Sequence, residues 1–332
     1  MTAEKPLVSI VVPVLNEEAN IPRLYERVTA VMAGLADSYR WELVVTDNHS
    51  SDSSFQLLSA LARTDVRVRV IRFAKNFGYQ RSILTGYLNA HGDAVVQLDC
   101  DLQDPPELIP QMLADWEQGW KVVYGVRRSR QEGAAMTFVR KAFYRAMDRL
   151  SDEPLPLDAG DFRLVDRRVI EELRKVEDAN PYLRGLIATM GFDQKGFAYD
   201  RAARTAGETK FPLRALLRIA ADGLLNHSSF PLRLATYVSL AITALAMVLA
   251  VGYAAVRISG FGSDWPPGFT TIVLLVLVST ALNALFFGIQ GEYTKRIFQQ
   301  VKRRPLTIVE QELNPRRTVQ CVPTEPGEAR AA

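Results

Sequence analysis

Cysteine is close to absent from this chain: Cys100 and Cys321 are the two it has in 332 residues. Two thiols cannot build a disulfide framework, and neither stands in a metal-binding spacing. A disulfide scaffold and a zinc module are therefore excluded, and a reducing, cytosolic setting is the expectation. Glycine-rich phosphate loops are missing too. The first apolar run leads into PVLNEEANI without a G-x-G-x-x-G, which excludes a dinucleotide fold of the oxidoreductase kind, and no G-x-x-x-x-G-K-[ST] occurs, which excludes a P-loop. The N-terminal MTAEKPLVSIVVPVLNEE has one Lys and a short apolar run but no small-residue cleavage site. It reads as a buried strand and not as a secretory leader. Charge of one sign is not in excess, with 40 Lys and Arg against 37 Asp and Glu. What matters is where the charges fall.

A hydrophobic share of 48% with 23% charged residues fits a folded chain. From residue 7 to about 125, short β-branched runs at 7–14, 43–46, 68–73, 94–98 and 122–124 alternate with helical patterns at 21–35, 53–62, 82–90 and 107–118. Nearly continuous apolar runs this short are strands buried on both faces. Strict alternation with helices implies right-handed crossovers and an α/β doubly wound, mainly parallel sheet. Ligands of such sheets bind beyond the carboxyl ends of the strands, which gathers Asp47, Asn76 and the acids of 99–104 around one crevice.

Those acids stand in QLDCDLQDPPE (97–107). A calcium loop of the EF-hand type is excluded, because its sixth and twelfth positions would be Asp104 and Pro110 instead of Gly and Glu. Solvated surface acids belong on a helix, not at the end of a buried strand. A divalent cation shared with a diphosphate fits better: Mg²⁺ or Mn²⁺ takes one or two carboxylates and fills its other positions with phosphate oxygens and water.

The second half of the chain changes character. Residues 128–200 mix helix and strand with many charges, and 211–230 carry Leu213, Leu216, Leu217, Ile219, Ala220 and Leu224 with Arg214 and Arg218 interleaved, an amphipathic pattern that suits a membrane surface and equally a helix packed on a soluble domain; the stretches that follow favour the membrane. Residues 234–256 and 269–290 contain no charge, and each is long enough to cross a bilayer as a helix. Basic residues flank them on the outer sides: Arg214, Arg218 and Arg233 before the first, Lys295, Arg296, Lys302, Arg303 and Arg304 after the second. The expectation is two spans (231–257 and 268–291) with both termini cytosolic and the short loop outside. Asn283, within the second, is expected to bond across helices. The Pro- and Glu-rich tail after Pro305 is expected to be mobile. Basic residues that crowd the spans, without aromatic interleaving on a soluble face, leave a nucleic-acid partner unsupported.

The stretches VSIVVPVLNEEANI, VVTDNHSSD and KNFGYQRSILTGYLNAHGDAVVQLDCDLQDPPE, followed by AGDFRLVDRR (159–168) and RAARTAGETKF (201–211), resemble the family 2 inverting glycosyltransferases of GT-A type. Within these the chain is similar to polyprenyl-phosphate glycosyltransferases, namely the dolichyl-phosphate mannose synthases and the bactoprenol glucosyltransferases with two C-terminal spans. One departure is TDNHSSD, where the family usually has a DDGS-like turn; Asp47 and Asp52 persist. The resemblance implies a 1–210 catalytic domain on the cytosolic face of a bacterial inner membrane, a 211–230 juxtamembrane segment and a 292–332 cytosolic end. Its partners would be a nucleotide diphosphate sugar and a polyprenyl (undecaprenyl) phosphate, with Mg²⁺ or Mn²⁺ as cofactor. A homo-oligomer that pairs the spans stays open.

By the same resemblance, Pro13, Glu17 and Asp47 would line the nucleotide pocket, Asp99 would meet ribose or metal, Asp101 would hold the metal and Gln103 would assist. Asp161 would be the catalytic carboxylate, with Asp158 as the fallback. Glu17 is equally an acid placed near a helix N-terminus, favoured there by the dipole. The acceptor nucleophile is a phosphate, mostly dianionic at neutral pH, so cations are needed more than a base. Arg127, Arg204 and Lys210, and less directly Arg201, are the candidates for holding it. Two rivals are a processive polysaccharide synthase and a membrane-anchored nucleotide-sugar binder. The first needs a Gln-x-x-Arg-Trp motif, which is absent; the second has no use for a separate acceptor cation set.

Overall fold

A computed structural model describes residues 4–127, 159–178, 181–200, 268–302 and 304–315, with scattered positions between 237 and 255. The chain divides into two compact units, Met1–Ala114 with Thr307–Ala332, and Asp115–Leu306.

In the first unit, β1 (Leu7–Val14), β2 (Arg40–Asp47), β3 (Val68–Phe73) and β4 (Ala94–Gln97) alternate with α1 (Ile21–Ala33), α2 (Ser54–Thr64) and α3 (Tyr79–Asn89). Every residue of β1 and β4 is buried, as continuous apolar runs require in a sheet covered on both faces. The strands pair in parallel in the order β4-β1-β2-β3. The expected doubly wound parallel sheet is therefore present. Winding proceeds one way from β1 to β3, then reverses so that β4 lies on the far side of β1. The loops leaving β1 and β4 consequently part, opening a crevice beyond their carboxyl ends.

Helix α3 crosses β1 closely at Gly86, where an added Cβ would lie 2.3 Å from Val11 Cγ1. A 3-10 turn at Pro106–Leu108 then leads into α4 (Ile109–Glu117). Pro106 suits the first turn because its missing N–H has no partner there in any case.

The edge of β3 is not open. Residues 309–313, expected to be mobile, form β8 (Val309–Leu313), antiparallel to β3 with Ile71 opposite Glu312. This corrects the sequence expectation for that stretch. Exposed Val-Glu-Gln-Glu-Leu has little intrinsic drive to order and becomes a strand by completing the ladder of β3. Residues 316–332 lie outside the described residues.

A buried polar network ties the amino ends of the strands. Glu42 (3% exposed) accepts from Ser9 Oγ at 2.6 Å and from the His91 N–H at 2.7 Å, and Arg69 Nη1 lies 3.5 Å away. Burial pushes the Glu42 carboxyl up, but the Ser9 and His91 hydrogen bonds and the Arg69 charge outweigh it and hold it below the usual range.

The second unit holds β5 (Val122–Arg127), β6 (Ala159–Asp166) and β7 (Gln194–Tyr199), with β5 antiparallel to β6 and parallel to β7. Helices α5 (Arg167–Leu173) and α6 (Leu183–Thr189) accompany them. Phe162, Phe197 and Tyr199 form an aromatic cluster with centroids 5.8–6.3 Å apart, Phe162 edge-on to the other two and those two tilted against each other. Asp166 caps α5 through the Arg168 N–H and also accepts from Trp116 Nε1 and Lys121 Nζ.

The last helix of this unit, α7 (Phe269–Val301), runs 33 residues. It contains the second expected span and continues past it through the charged stretch. Among the described residues, no helix is long and apolar enough to cross a membrane; the first span, apart from scattered positions, and many α7 side chains lie outside that set. Asn283 donates to the Ser279 carbonyl of its own helix at 2.9 Å; the helix across which it is expected to bond lies largely outside the described residues. The amphipathic segment 211–230 lies outside the described residues.

Two measurements check this packing. Gly86→Ala is expected to lower unfolding free energy by about 1–3 kcal/mol, since overpacking against a rigid Val outweighs the gain in helix propensity. An unchanged denaturant midpoint would mean α3 stands off β1. The Glu42 contribution is present above the ordinary carboxylate value of 4.5 and is lost as pH falls through the lower folded value. Glu42→Gln should thus lose stability at neutral pH and show a flatter acid limb.

Candidate active site

The crevice between the carboxyl ends of β1 and β4 collects polar groups because the strands beneath it cannot. β4 stops at Gln97, and Asp99, Cys100 and Asp101 form a turn beyond it instead of continuing the strand. Gln97 is fully buried, and its Nε2 donates to Asp99 Oδ1 at 2.9 Å. Tyr79, at the start of α3, donates its phenol proton to the same oxygen at 2.5 Å. Asp101 accepts from the Gln103 N–H at 3.1 Å, which closes the turn. Leu102 between them has φ 57°, a left-handed conformation that costs a branched residue about 1 kcal/mol or more. The turn therefore orients both carboxylates at the expense of local strain.

Cys100 is buried. Burial first, then the charges of Glu17, Asp101 and Asp99, push its thiol far above the ordinary range. That places the field of these carboxylates on one point and makes the thiol an inert packing group. The third acid, Asp104, is fully buried beneath the turn. Glu107 faces the other way, where Arg27 grips it with Nε at 2.9 Å and Nη2 at 2.5 Å and lowers its carboxyl. Of the acidic run, Asp99 and Asp101 alone are half-open to the crevice.

Among the described residues, no group of three or more His, Cys, Asp or Glu could hold a metal by itself. Two carboxylates whose field converges, with no further protein ligand, fit a hard cation that completes its shell with phosphate oxygens and water. They do not fit a closed protein cage.

The loops after β1 and β2 are laced together. The Asn16 N–H donates to Ser50 Oγ at 3.0 Å, the Glu17 N–H to Ser54 Oγ at 2.8 Å and the Ser51 N–H to Asn16 Oδ1 at 2.8 Å. Asn16 and His49 both have positive φ, 55° and 64°. Burial raises the Asp52 carboxyl, but hydrogen bonds from Ser54 and the Glu18 N–H bring it below its usual value. Glu17 is half-buried and accepts from Asn20 Nδ2 at 2.6 Å. Pro13 is buried within β1, opposite Thr46.

Asp47 is fully buried, with Oδ1 accepting from the Ser50 N–H at 3.1 Å and Oδ2 from Arg72 Nη1 at 3.2 Å. Arg72 lies over Phe55 at 4.2 Å from the ring centre. The strand pattern gave no sign of this cover, although Asp47 and Arg72 stand opposite each other in the β2–β3 register.

In the second unit, Asp161 sits on β6 with 13% of its side chain exposed. Arg184 of α6 grips both oxygens, Nε at 2.8 Å and Nη2 at 2.6 Å. Sequence reasoning missed Arg184; a lone Arg in PYLRGL carries no motif. Arg127 ends β5, with its side chain outside the described residues. Asp158, Arg201, Arg204 and Lys210 lie outside them altogether.

With this geometry established, the comparisons with known proteins give the class. The family model "Glycosyl transferase family 2" matches residues 9–174, the stretch that builds both the crevice and β6. The chain belongs to this family. The uncharacterized glycosyltransferase YkcC of Bacillus subtilis (strain 168) is 38% identical over 306 residues, 91% of this chain and 93% of that protein. The prophage bactoprenol glucosyl transferase homolog of Escherichia coli (strain K12) is 32% identical over 303 residues, 91% of this chain and 98% of that protein. A glucosyl-3-phosphoglycerate synthase structure from Mycobacterium tuberculosis, with Mn²⁺, UDP-glucose and glycerol 3-phosphate, is 22% identical over 66% of this chain and 78% of that one, with a TM-score of 0.42. At that score the likeness carries no inference about ligand or metal.

Tyr79→Phe removes the phenol bond to Asp99 together with the longer one, 3.3 Å, that the hydroxyl accepts from Gln97 Nε2. It is expected to raise KM for the sugar donor about 3- to 10-fold, the worth of one hydrogen bond, with the melting temperature unchanged. An unaltered KM would separate Asp99 from the donor.

Proposed function

We propose that this protein transfers a hexose, with inversion, from a nucleotide diphosphate sugar to a polyprenyl phosphate, and that UDP-glucose and undecaprenyl phosphate are its substrates. The observation that carries the reading is the 32% identity, over 98% of its length, to a protein named as a bactoprenol glucosyl transferase homolog. The alternative donors are GDP-mannose, a UDP-N-acetylhexosamine and an aminoarabinose nucleotide.

Donor and acceptor are both anions, so the chemical difficulty is their mutual repulsion. Asp99 and Asp101 would hold Mg²⁺ or Mn²⁺, which when bound supplies positive charge to the diphosphate and eases its departure. The acceptor phosphate needs its own cations, and Arg127, Arg204, Lys210 and Arg201 are the residues proposed for it. Its oxygen is already deprotonated, so no strong base is required. Asp161, with both oxygens in the Arg184 fork, is held ionised and poorly suited to collect a proton; it would stabilise positive charge developing on the sugar once that fork loosens. Pro13, Glu17 and Gln103 would shape the nucleotide pocket, and Asp47 would read the base once Arg72 yields.

A long-chain isoprenoid acceptor implies a membrane. Two uncharged stretches, 234–256 and 269–290, with basic residues on their outer flanks, support two spans with the catalytic part on the cytosolic face of an inner membrane. Exposure of Ile272, Leu275, Val276 and Phe287 along α7 supports an apolar surrounding for that helix.

The test is to incubate the purified full chain with undecaprenyl phosphate and Mn²⁺ or Mg²⁺ against a panel of labelled nucleotide sugars. Glucose from UDP-glucose should appear in the lipid fraction, and chelation should abolish it. Asp101→Ala and Asp161→Ala should each abolish transfer, with nucleotide binding falling mainly in the first. Nucleotide binding without transfer of any sugar to lipid would leave the non-catalytic binder as the reading.

A further inference from the structure

The C-terminal strand β8 sends one carboxylate toward the group that covers Asp47. Arg72 Nη1 lies 3.2 Å from Asp47 Oδ2, while its Nε lies 3.1 Å from Glu310 Oε2. The same Glu310 oxygen is 3.5 Å from His49 Nδ1, which bonds the Phe73 carbonyl at 3.0 Å. The guanidinium thus stands between two acids, engaging each through a different edge, with Phe55 as its floor. Asp47 is fully buried, whereas the Glu310 side chain is 49% exposed.

We infer that Glu310 is a positioning residue for the donor pocket: it holds Arg72 to a single hydrogen bond on Asp47 and so keeps that carboxylate available to a nucleobase. The inference rests on the proposed reading of Asp47 as a base-binding group. The reasoning is one of competition. A guanidinium has five N–H donors in a fixed fork and prefers to grip a carboxylate with two parallel bonds. Toward Asp47 it makes one, because the Nε bond to Glu310 fixes the plane of the guanidinium in an orientation from which Nη1 alone reaches Asp47. Without Glu310, the guanidinium is free to turn and set a complete edge, Nη1 with Nη2 or Nε with Nη2, against Asp47. An incoming base would then have to displace two charge-assisted bonds instead of one. Arg72 cannot simply be dispensed with, since a buried carboxylate stripped of its cation is strongly destabilising.

The other carboxylate of β8 supplies the control. Glu312 Oε1 meets Arg69 Nη2 at 3.1 Å, in the network of Glu42 and not at Asp47. Both glutamates fasten the same strand to the same neighbour, but only one faces the pocket cover.

The test compares Glu310→Gln, Glu312→Gln and Asp47→Asn in the full chain, measuring UDP binding by calorimetry with Mn²⁺ present, donor kinetics and melting temperature. Glu310→Gln is expected to weaken UDP and raise donor KM about 3- to 10-fold, the worth of one partly exposed ion pair and its consequence for the fork, with kcat within about twofold. Glu312→Gln should lower the melting temperature and leave UDP affinity and KM unchanged. Asp47→Asn should weaken UDP more than either. If Asp47→Asn weakens UDP and Glu310→Gln does not, Glu310 has no positioning role. Equal KM increases in the two glutamate variants would show that β8 acts only as a structural strand, and the inference falls. If the unaltered protein does not bind UDP, or Asp47→Asn binds it normally, the donor-pocket reading fails and this inference goes with it.

Discussion

Parallel strands covered by helices on both faces leave their side chains no route to water except at the strand ends. In β1 and β4 this is absolute, since every residue is buried. Polar chemistry can then gather in one place, the carboxyl rim, and the reversal of winding between β1 and β4 decides where the rim opens. The crevice is in this sense a consequence of hydrophobic burial. Charges that do enter the sheet need partners inside it, and Glu42, Ser9, Arg69 and His91 supply one another with them at the amino end.

The rim then faces the reverse difficulty, too much charge of one sign. The acids are not treated alike. Asp47 is buried under Arg72, Glu107 is gripped by Arg27, and Asp104 is enclosed. Asp99 accepts from a phenol and an amide, and Asp101 from a backbone N–H that closes their turn. Neutral donors orient a carboxylate without cancelling its charge. The left-handed Asn16, His49 and Leu102 belong to the same economy, being the bends by which three strands turn sharply at the rim.

How much of this was legible in the sequence follows from where each signal originates. The bounds of β1 and β3 could be read to the residue, because burial on both faces writes an uninterrupted apolar run. Strand β5 was read short, since Gly125 and Arg127 dilute that run; Gly125 is there because Tyr199 passes over it, 2.5 Å from where a Cβ would stand, a tertiary fact. Asp99 and Asp101 were legible from spacing at a strand end. Arg184 and Arg72 were not, since an arginine reveals its role only through the carboxylate that the fold brings opposite. Asp47 was legible as an acid at the rim but not as a buried one, for the same reason.

The missed strand β8 shows the limit most clearly. Its residues are mostly polar and its partner in the ladder lies at the other end of the chain, so no local pattern could announce it. Loop-closure entropy grows only logarithmically with the length enclosed, so so distant a segment costs little more to recruit than a near one. What it returns is spread over several groups: the ladder with β3, Glu312 on Arg69, and Asn314, whose amide donates to the Ala62 and Val68 carbonyls at 2.6 and 2.9 Å. Its outward charges also suit an edge that must not pair with further chains. A purely apolar strand would have closed β3 as well, but it would have exposed a sticky edge and offered nothing to Arg69 or Arg72. The polarity that hid β8 from the sequence reading is therefore what fits it to its place.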